Sequence, residues 1–345
     1  MVTLATFVIV ALLNPYSLLK ASPSMASTLE SGLLDCFGKN RLTNYTTINS
    51  RPQICYKLLN FSLQNLRFTE PSVPMPYVIV LPSSNIQVQH AVVCSRQHGW
   101  LIHARCGGHS YEGFSSTGDS PFVIIDQMNL NKVEVDVAEG TAWIGGGTTL
   151  AEAYYHIANA SKDRYGFSAG TCPTVGSGGH ISGGGFGHMS RKFRLVADNI
   201  LDALVVNVVG LLLNRTTMGD GMFWAIRGSG GGSWGMVVAW KLSIQYIINW
   251  RTQDDDYKYL NWIKSFYEYM EPYVSKSPRE AYVNYLDIDL GAARNGTASV
   301  ETAREWGIMY FKDNFDRLVR VKSHIDPHNV FRYPQSIPVN TKQVL

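Results

Sequence analysis

Two glycine-rich segments of this chain carry side chains that can form covalent bonds. Residues 105–110 contain His109, and residues 170–185 contain Cys172. Glycine permits positive φ angles and close approach of the backbone to a ligand, and consecutive exposed N–H groups then create a concave site for phosphate. An imidazole and a thiol held in such loops can both bond to an electrophilic ring. The two segments together predict one site for a dinucleotide with an electrophilic ring, such as a flavin.

The motifs around these residues resemble a known family. Residues 105–113 read Arg-Cys-Gly-Gly-His-Ser-Tyr-Glu-Gly, and residues 170–176 read Gly-Thr-Cys-Pro-Thr-Val-Gly. They are similar to the loops of the berberine bridge enzyme-like oxidases of plants, FAD proteins of the vanillyl-alcohol-oxidase type. Further similar segments lie at residues 64–68, 197–199, 222–228 and 239–241.

The resemblance implies that His109 and Cys172 both bond to the isoalloxazine ring, so that FAD is held by two covalent links. The other residues of the two loops are predicted to surround the cofactor. We therefore predict these additional cofactor-binding residues: Arg105, Cys106, Gly107, Gly108, Ser110, Thr171, Val175, Gly178, Gly179, His180, Ser182 and Gly184.

A metal site is an alternative interpretation of the same region. His103, Cys106 and His109 lie close together, and His180 and His188 are further candidates for metal ligands. However, the chain has no Cys-x-x-Cys pair, and a metal site leaves the glycines unexplained. We therefore predict no metal.

Residues 230–235 fit two generic motifs. They match the Gly-x-Gly-x-x-Gly spacing of a dinucleotide-binding turn, and Ser233 occupies the serine position of a Gly-x-Ser-x-Gly nucleophile elbow. Both motifs require a following helix. Residues 236–240 form an apolar run with two adjacent valines, which predicts a strand. The segment is therefore predicted to be a turn beside the flavin, neither a Rossmann turn nor a hydrolase site.

Composition limits the class of protein. The 345 residues are 45% hydrophobic, enough for one large core or two smaller ones. The net charge of +3 gives no indication of nucleic-acid binding.

The start of the sequence has the pattern of a secretory signal. Residues 4–13 are apolar and small residues follow, so residues 1–26 are predicted to be a signal peptide. No other apolar run is long enough to span a membrane.

Glycosylation motifs and cysteines agree with a secreted glycoprotein. Asn-x-Ser/Thr motifs begin at Asn44, Asn60, Asn159, Asn214 and Asn295. The resemblance implies a disulfide between Cys36 and Cys94. For Cys55 and Cys106 two alternatives stay open, a bridge between them or free thiols.

Local patterns predict an α+β chain of short strands and helices. A helix is expected from Ser84 to Ser95, and another, capped by Thr149, runs to Ser161. Strands are predicted at residues 77–82, 101–105, 123–126, 132–137, 141–144 and 236–244. The resemblance implies a two-subdomain FAD-binding fold of the vanillyl-alcohol-oxidase type.

The chain is short compared with the resembled family, and the resemblance implies that most of the antiparallel substrate-binding domain is missing. We predict an N-terminal segment at residues 27–71 and an FAD-binding domain at 72–247. A short junction at 248–259 replaces the substrate domain, and residues 260–345 close the FAD domain. The deletion is either natural or an error in the coding sequence.

The implied activity is an oxidase reaction. A small-molecule substrate, an alkaloid, phenolic alcohol or carbohydrate, transfers hydride to FAD, and molecular oxygen then reoxidises the flavin and gives hydrogen peroxide. In some relatives a tyrosine is the catalytic base, and Tyr285 holds that position. Val175 holds the position that in this family distinguishes oxidases from dehydrogenases. The alternative is a truncated, catalytically degenerate secreted flavin-binding glycoprotein.

Overall fold

The computed structural model describes residues 23–118, 122–246, 282–284, 286, 290–293 and 298–340. Several predicted features lie outside these residues. They are Tyr285, Asn295, the signal peptide as far as residue 22 and the junction at 248–259. Across the described ranges, no helix is long and apolar enough to cross a membrane.

The helices and strands alternate along the first part of the chain, and two helices follow near the end. The described α-helices are α1 (Pro23–Lys39), α2 (Pro52–Asn60), α3 (Asn85–Gln97), α4 (Leu150–Ser161), α5 (Ser177–Ser182), α6 (Ser190–Phe193), α7 (Arg215–Ala225), α8 (Val300–Phe311) and α9 (Phe315–Ile325). The described strands are β1 (Tyr45–Thr47), β2 (Val78–Val80), β3 (Leu101–Arg105), β4 (Phe122–Asp126), β5 (Val133–Asp136), β6 (Thr141–Gly145), β7 (Tyr165–Gly166), β8 (Ile200–Val206), β9 (Leu212–Leu213), β10 (Met236–Ser243) and β11 (Gln245–Tyr246).

Two main sheets organise these elements. The first has the strand order β1-β2-β4-β3, and β4 runs parallel to both of its neighbours. The second is antiparallel, with the order β5-β6-β10-β8-β9. Strands β7 and β11 pair separately. This combination of helices with a mixed and an antiparallel sheet confirms the predicted α+β class.

Buried apolar side chains join the sheets to the helices. One cluster brings Val80 and Ile125 of the first sheet together with Val206 and Val238 of the second. A larger cluster packs the second sheet against α4, α7, α8 and α9. Every residue of β4 is buried, as expected for a parallel strand covered on both faces. The segment that contains His109 therefore leaves a strand, β3, that is held in a core through Ile102.

Local signals placed several elements correctly. The predicted strand at residues 101–105 is β3, and Thr149 caps α4, which ends at Ser161 as predicted. The Thr149 N–H donates to Glu152 Oε2 at 2.7 Å, and this reciprocal capping box explains the sharp helix start. The glycines at 230–235 lead into β10, not into a helix, so the structure confirms a turn there.

The cysteines divide into one disulfide and three thiols. Cys36 of α1 is bonded to Cys94 of α3, with Cα atoms 5.7 Å apart, which confirms the predicted pair. Cys55 and Cys106 are not bridged. Burial raises the pKa of Cys55 to about 11 and that of Cys106 to about 12, so both are protonated at neutral pH.

Candidate functional site

The two glycine loops pack backbone against backbone. A Cβ atom added to Gly107 would lie 2.7 Å from the carbonyl oxygen of Thr174 and 2.9 Å from the Cα atom of Gly176. A Cβ atom added to Gly176 would collide with the Cys106 thiol and the Gly107 amide nitrogen. Any larger side chain would push the loops apart at either position, so these glycines allow the two loops to form one site.

The loops line a cavity of about 740 Å³, a size typical of pockets for organic ligands. Gly184 does not line it, and with φ +101° it occupies a backbone region that favours glycine. The predicted cofactor-binding residues that do line the cavity are Arg105, Cys106, Gly107, Gly108, His109, Ser110, Thr171, Cys172, Val175, Gly178, Gly179, His180 and Ser182.

His109 and Cys172 meet at one hydroxyl group. His109 Nε2 lies 2.9 Å from Thr174 Oγ1, and Cys172 Sγ lies 3.9 Å from the same oxygen. The imidazole nitrogen and the sulfur are therefore no further apart than the sum of these two distances. Because both residues also line the cavity, a single ring bound there can contact both.

The protonation state of His109 suits a nucleophile. Burial lowers its pKa below the ordinary value, so the ring is neutral near pH 7. A neutral imidazole carries one nitrogen with a free lone pair. Cys172 is exposed, so its thiol is accessible.

The Arg105 guanidinium is held by three hydrogen bonds within the protein. Its Nε donates to Asp126 Oδ2 at 2.6 Å, and its terminal nitrogens donate to the carbonyl oxygens of Leu58 and Leu59 at 2.7 and 3.2 Å. Both charged side chains are completely buried. Burial raises the pKa of Asp126, and the neighbouring guanidinium opposes that rise. Arg105, predicted as a cofactor contact, thus supports the site by joining β3 to α2 and β4.

His180 and Ser182 hold loops in place around the cavity. His180 Nε2 accepts a hydrogen bond from the Gly170 N–H at 3.0 Å, and burial lowers the His180 pKa to about 4, so it is neutral. The Ser182 carbonyl oxygen accepts from the N–H groups of Gly228 and Gly230 at 2.9 and 2.8 Å. Helix α5 therefore links the Cys172 loop to the glycine turn before β10.

A segment nearer the C-terminus, residues 282–284, also lines the cavity. The Tyr282 hydroxyl oxygen accepts from the Gly185 N–H at 2.9 Å, and Asn284 Nδ2 donates to the His180 carbonyl oxygen at 3.1 Å. Tyr282 and Asn284 both line the cavity. The predicted base, Tyr285, is the next residue and lies outside the described part of the chain.

Two further residues near the C-terminus were missed by sequence reasoning. Tyr333 lines the cavity and stacks on Phe114, with ring centroids 5.4 Å apart. Lys322 Nζ donates to Asp326 Oδ2 at 2.6 Å and to the carbonyl oxygen of Ser233 at 2.7 Å, which anchors the glycine turn. The i,i+4 spacing of Lys322 and Asp326 on α9 was the available signal, but such pairs are usually exposed.

The arrangement of histidines does not resemble a metal centre. Within the described ranges, no group of three or more His, Cys, Asp or Glu side chains is placed to hold a metal ion. His103 packs its ring on Phe122, with centroids 4.7 Å apart, and burial lowers its pKa to about 4. His180 is already bonded to Gly170.

Comparison with known proteins identifies the family. The family model described as FAD binding domain matches residues 76–215, and the one described as berberine and berberine like matches residues 281–338. Reticuline oxidase of Papaver somniferum is 32% identical, over 89% of this chain and 92% of that protein. This chain belongs to the berberine bridge enzyme-like family. It is thus an FAD-linked oxidoreductase by family.

Other members and their structures agree. Berberine bridge enzyme-like D-1 of Nicotiana tabacum is 32% identical, over 92% of this chain and 93% of its own length. The structure of berberine bridge enzyme from Eschscholzia californica superposes with a TM-score of 0.78 at 29% identity, covering 89% of this chain and 99% of that one. A berberine bridge enzyme variant in complex with (S)-reticuline gives the same TM-score and identity, covering 90% and 99%.

The cavity of this berberine bridge enzyme-like chain fits FAD. Gly107, Gly176 and Gly178 line the cavity and have no side chain of their own, which lets a diphosphate approach their backbone. Gln127 lines the cavity and is 4% exposed, and across the described residues its Oε1 atom has no hydrogen-bond partner. A buried amide oxygen without a donor is costly, so Gln127 Oε1 suits a hydroxyl group of the cofactor, which can donate to it. Sequence reasoning had not selected Gln127.

Proposed function

We propose that this chain is an FAD-linked oxidase that holds its flavin through both His109 and Cys172. The observation that carries the proposal is their shared contact with the Thr174 hydroxyl at the cavity. Two nucleophiles from separate loops lie together where one ring can contact both. The neutral state of His109 also supports bond formation.

When bound, FAD would supply the redox chemistry of the proposed reaction, which is acceptance of hydride from a substrate C–H bond and transfer of the electrons to O2 to give hydrogen peroxide. The protein positions the cofactor and supplies the group for proton transfer. Residues 107–108 and 176–179 cradle the cofactor, and the two covalent links prevent its loss. Val175 lines the cavity, as expected for a residue that controls oxygen access.

Tyr285 is the proposed catalytic base. Asn284, the residue before it in the sequence, lines the cavity and donates to the His180 carbonyl oxygen. A tyrosine with its ordinary pKa near 10 needs a nearby positive charge or the flavin to act at neutral pH. The proposed substrate is a small alkaloid, phenolic alcohol or carbohydrate.

The proposed location is the secretory pathway. The Cys36–Cys94 disulfide is typical of an oxidising compartment. The candidate glycosylation residues Asn44, Asn60, Asn159 and Asn214 are all exposed. Both features are expected of a protein that carries the predicted signal peptide.

A second candidate is a flavin-binding glycoprotein without turnover. The alignment with reticuline oxidase of Papaver somniferum runs over 493 residues, whereas this chain has 345. Many positions of that protein therefore have no counterpart here, which supports an internal deletion. Loss of a substrate domain would leave the flavin site intact and remove the groups that bind the substrate.

One experiment tests the covalent flavin. The protein is expressed in a secreting host and precipitated in acid, and the absorbance of the washed pellet is recorded. His109→Ala and Cys172→Ala are each expected to retain colour through the remaining link, and the double variant is expected to lose it. A colourless pellet from folded wild-type protein would falsify the covalent-oxidase proposal.

Turnover is tested on the same preparation. Hydrogen peroxide is measured with a peroxidase-coupled assay while alkaloids, phenolic alcohols and sugars are supplied. Peroxide formation that the double variant lacks supports the oxidase. A yellow protein that reduces with dithionite, reoxidises in air and produces no peroxide with any substrate class supports the degenerate alternative.

A further inference from the structure

Thr174 contacts both residues that are proposed to bond to the flavin. Its hydroxyl oxygen lies 2.9 Å from His109 Nε2 and 3.9 Å from Cys172 Sγ. The side chain is exposed and does not line the cavity, whereas His109 and Cys172 do. Thr174 therefore lies on the solvent side of the two nucleophiles.

The Thr174 hydroxyl can form hydrogen bonds to His109 and Cys172 in one arrangement that makes both of them better nucleophiles. A threonine hydroxyl donates one proton and accepts others. If His109 Nε2 carries the ring proton and donates it to Thr174 Oγ1, the Nδ1 lone pair stays free. The Thr174 hydroxyl proton is then available to the Cys172 sulfur, where it stabilises the thiolate, the reactive form of cysteine. The opposite tautomer would use the hydroxyl proton on His109 and leave the sulfur without a donor.

We propose that Thr174 is a positioning residue for covalent flavin attachment. Its hydroxyl selects the His109 tautomer with a free Nδ1 and stabilises the Cys172 thiolate. One hydroxyl group thereby prepares both links. The inference rests on the proposed function, since it concerns attachment of the same cofactor.

The attachment steps balance with oxygen as the oxidant. Each forms one bond from His109 Nδ1 or Cys172 Sγ to a flavin carbon and breaks one flavin C–H bond. The protein also releases one proton in each step, from His109 Nε2 or from the Cys172 thiol as it ionises. Two electrons remain on the flavin until molecular oxygen removes them. Oxygen takes up these electrons together with the two protons and leaves as hydrogen peroxide. The exposed Thr174 hydroxyl provides a route to solvent for the proton from the protein.

The test compares two substitutions at the same position. Thr174→Val keeps the shape of the side chain and removes the hydroxyl, whereas Thr174→Ser keeps the hydroxyl. Thr117→Val is the matched control, because it removes a threonine hydroxyl that donates to the Pro74 carbonyl oxygen at 3.0 Å away from the cavity wall. Proteins from riboflavin-limited cultures are incubated with FAD in air. Mass spectrometry of digests then follows the flavin-bearing fraction of the His109 and Cys172 peptides with time.

We expect attachment at both peptides to be at least about fivefold slower in Thr174→Val, the effect of one lost hydrogen bond, with near wild-type rates in Thr174→Ser and Thr117→Val. Wild-type rates in Thr174→Val overturn the inference. So does a folded Thr174→Ser variant that is as slow as Thr174→Val, because the hydroxyl would then not be the determining group. Wild-type protein with no flavin on either peptide overturns the proposed function as well, which separates the two failures.

Discussion

Replacing Lys322 by methionine is expected to destabilise the region that fixes the glycine turn at the cavity. The ammonium group donates to Asp326 Oδ2 at 2.6 Å and to the carbonyl oxygens of Ser233 and Phe331, each at 2.7 Å. Both charged side chains are completely buried. Methionine matches the length of lysine but donates nothing. The substitution leaves a buried carboxylate without its counter-ion and two carbonyl oxygens without their donor.

The expected cost follows from this geometry. Removing one partner of a buried ion pair lowers the free energy of unfolding by about 3–5 kcal/mol. That is a large share of the roughly 5–15 kcal/mol typical of a folded protein. With an unfolding entropy of about 2.1 cal/mol/K per residue over 345 residues, a loss of about 4 kcal/mol lowers the melting temperature by about 6 °C.

Urea unfolding followed by tryptophan fluorescence measures the change. Lys132→Met is the matched control, because Lys132 forms an ion pair with Glu134 whose side chains are 81% and 57% exposed. That control is expected to unfold like the wild type. Lys322→Met combined with Asp326→Asn should be more stable than Lys322→Met alone, since the unpaired charge is gone. A Lys322→Met variant within 1 kcal/mol of wild type, or a double variant less stable than the single one, refutes the reasoning.

Three further predictions concern stability. Arg194 has φ +63° and ψ −168°, a region that suits glycine, so Arg194→Gly should raise the free energy of unfolding by about 1 kcal/mol in urea; a loss of stability contradicts the strain argument. Replacing Cys36 and Cys94 by alanine should cost about 4 kcal/mol, because the disulfide closes a loop with a sequence separation of 58; an unchanged urea midpoint counts against this. Burial lowers the pKa of His180 to about 4 in the folded protein. The contribution of the neutral ring to the free energy of unfolding is therefore present above the unfolded-state pKa near 6.5, and it is lost as pH falls towards 4. Between pH 7 and 4, wild type should therefore lose about 3 kcal/mol more than His180→Gln, and parallel pH profiles would show that His180 is not the group responsible.

Elements with a local cause were predictable. Helix α4 begins at a threonine cap, so its start followed from neighbouring residues, and β3 also has the bounds predicted for it. The strand after residues 230–235 was also predictable, because adjacent valines favour a strand over the helix that two glycine motifs require. The Cys36–Cys94 bond came from resemblance to a family and not from spacing.

The role of individual side chains at the site was less predictable. Arg105 begins a conspicuous motif at the end of β3, but the direction of its side chain depends on Asp126 and on the end of α2, which are distant in the sequence. Gln127 and Tyr333 carry no motif, and only folding places them at the cavity. Their position at the cavity determines which partners they can bind, because the same amide or phenol at the surface would be hydrogen-bonded to water.

The sequence by itself determined which residue types line the cavity, since the glycines at 107 and 176 and the nucleophiles His109 and Cys172 belong to recognisable motifs. It also determined the α+β class through short-range periodicity. The tertiary structure alone decided that one hydroxyl, on Thr174, lies between the two nucleophiles. It also decided that the buried ammonium group of Lys322 donates to the glycine-rich turn at residues 230–235. The physical reason is that hydrogen bonds and desolvation depend on distances between segments, whereas motifs and periodicity report only on neighbours along the chain.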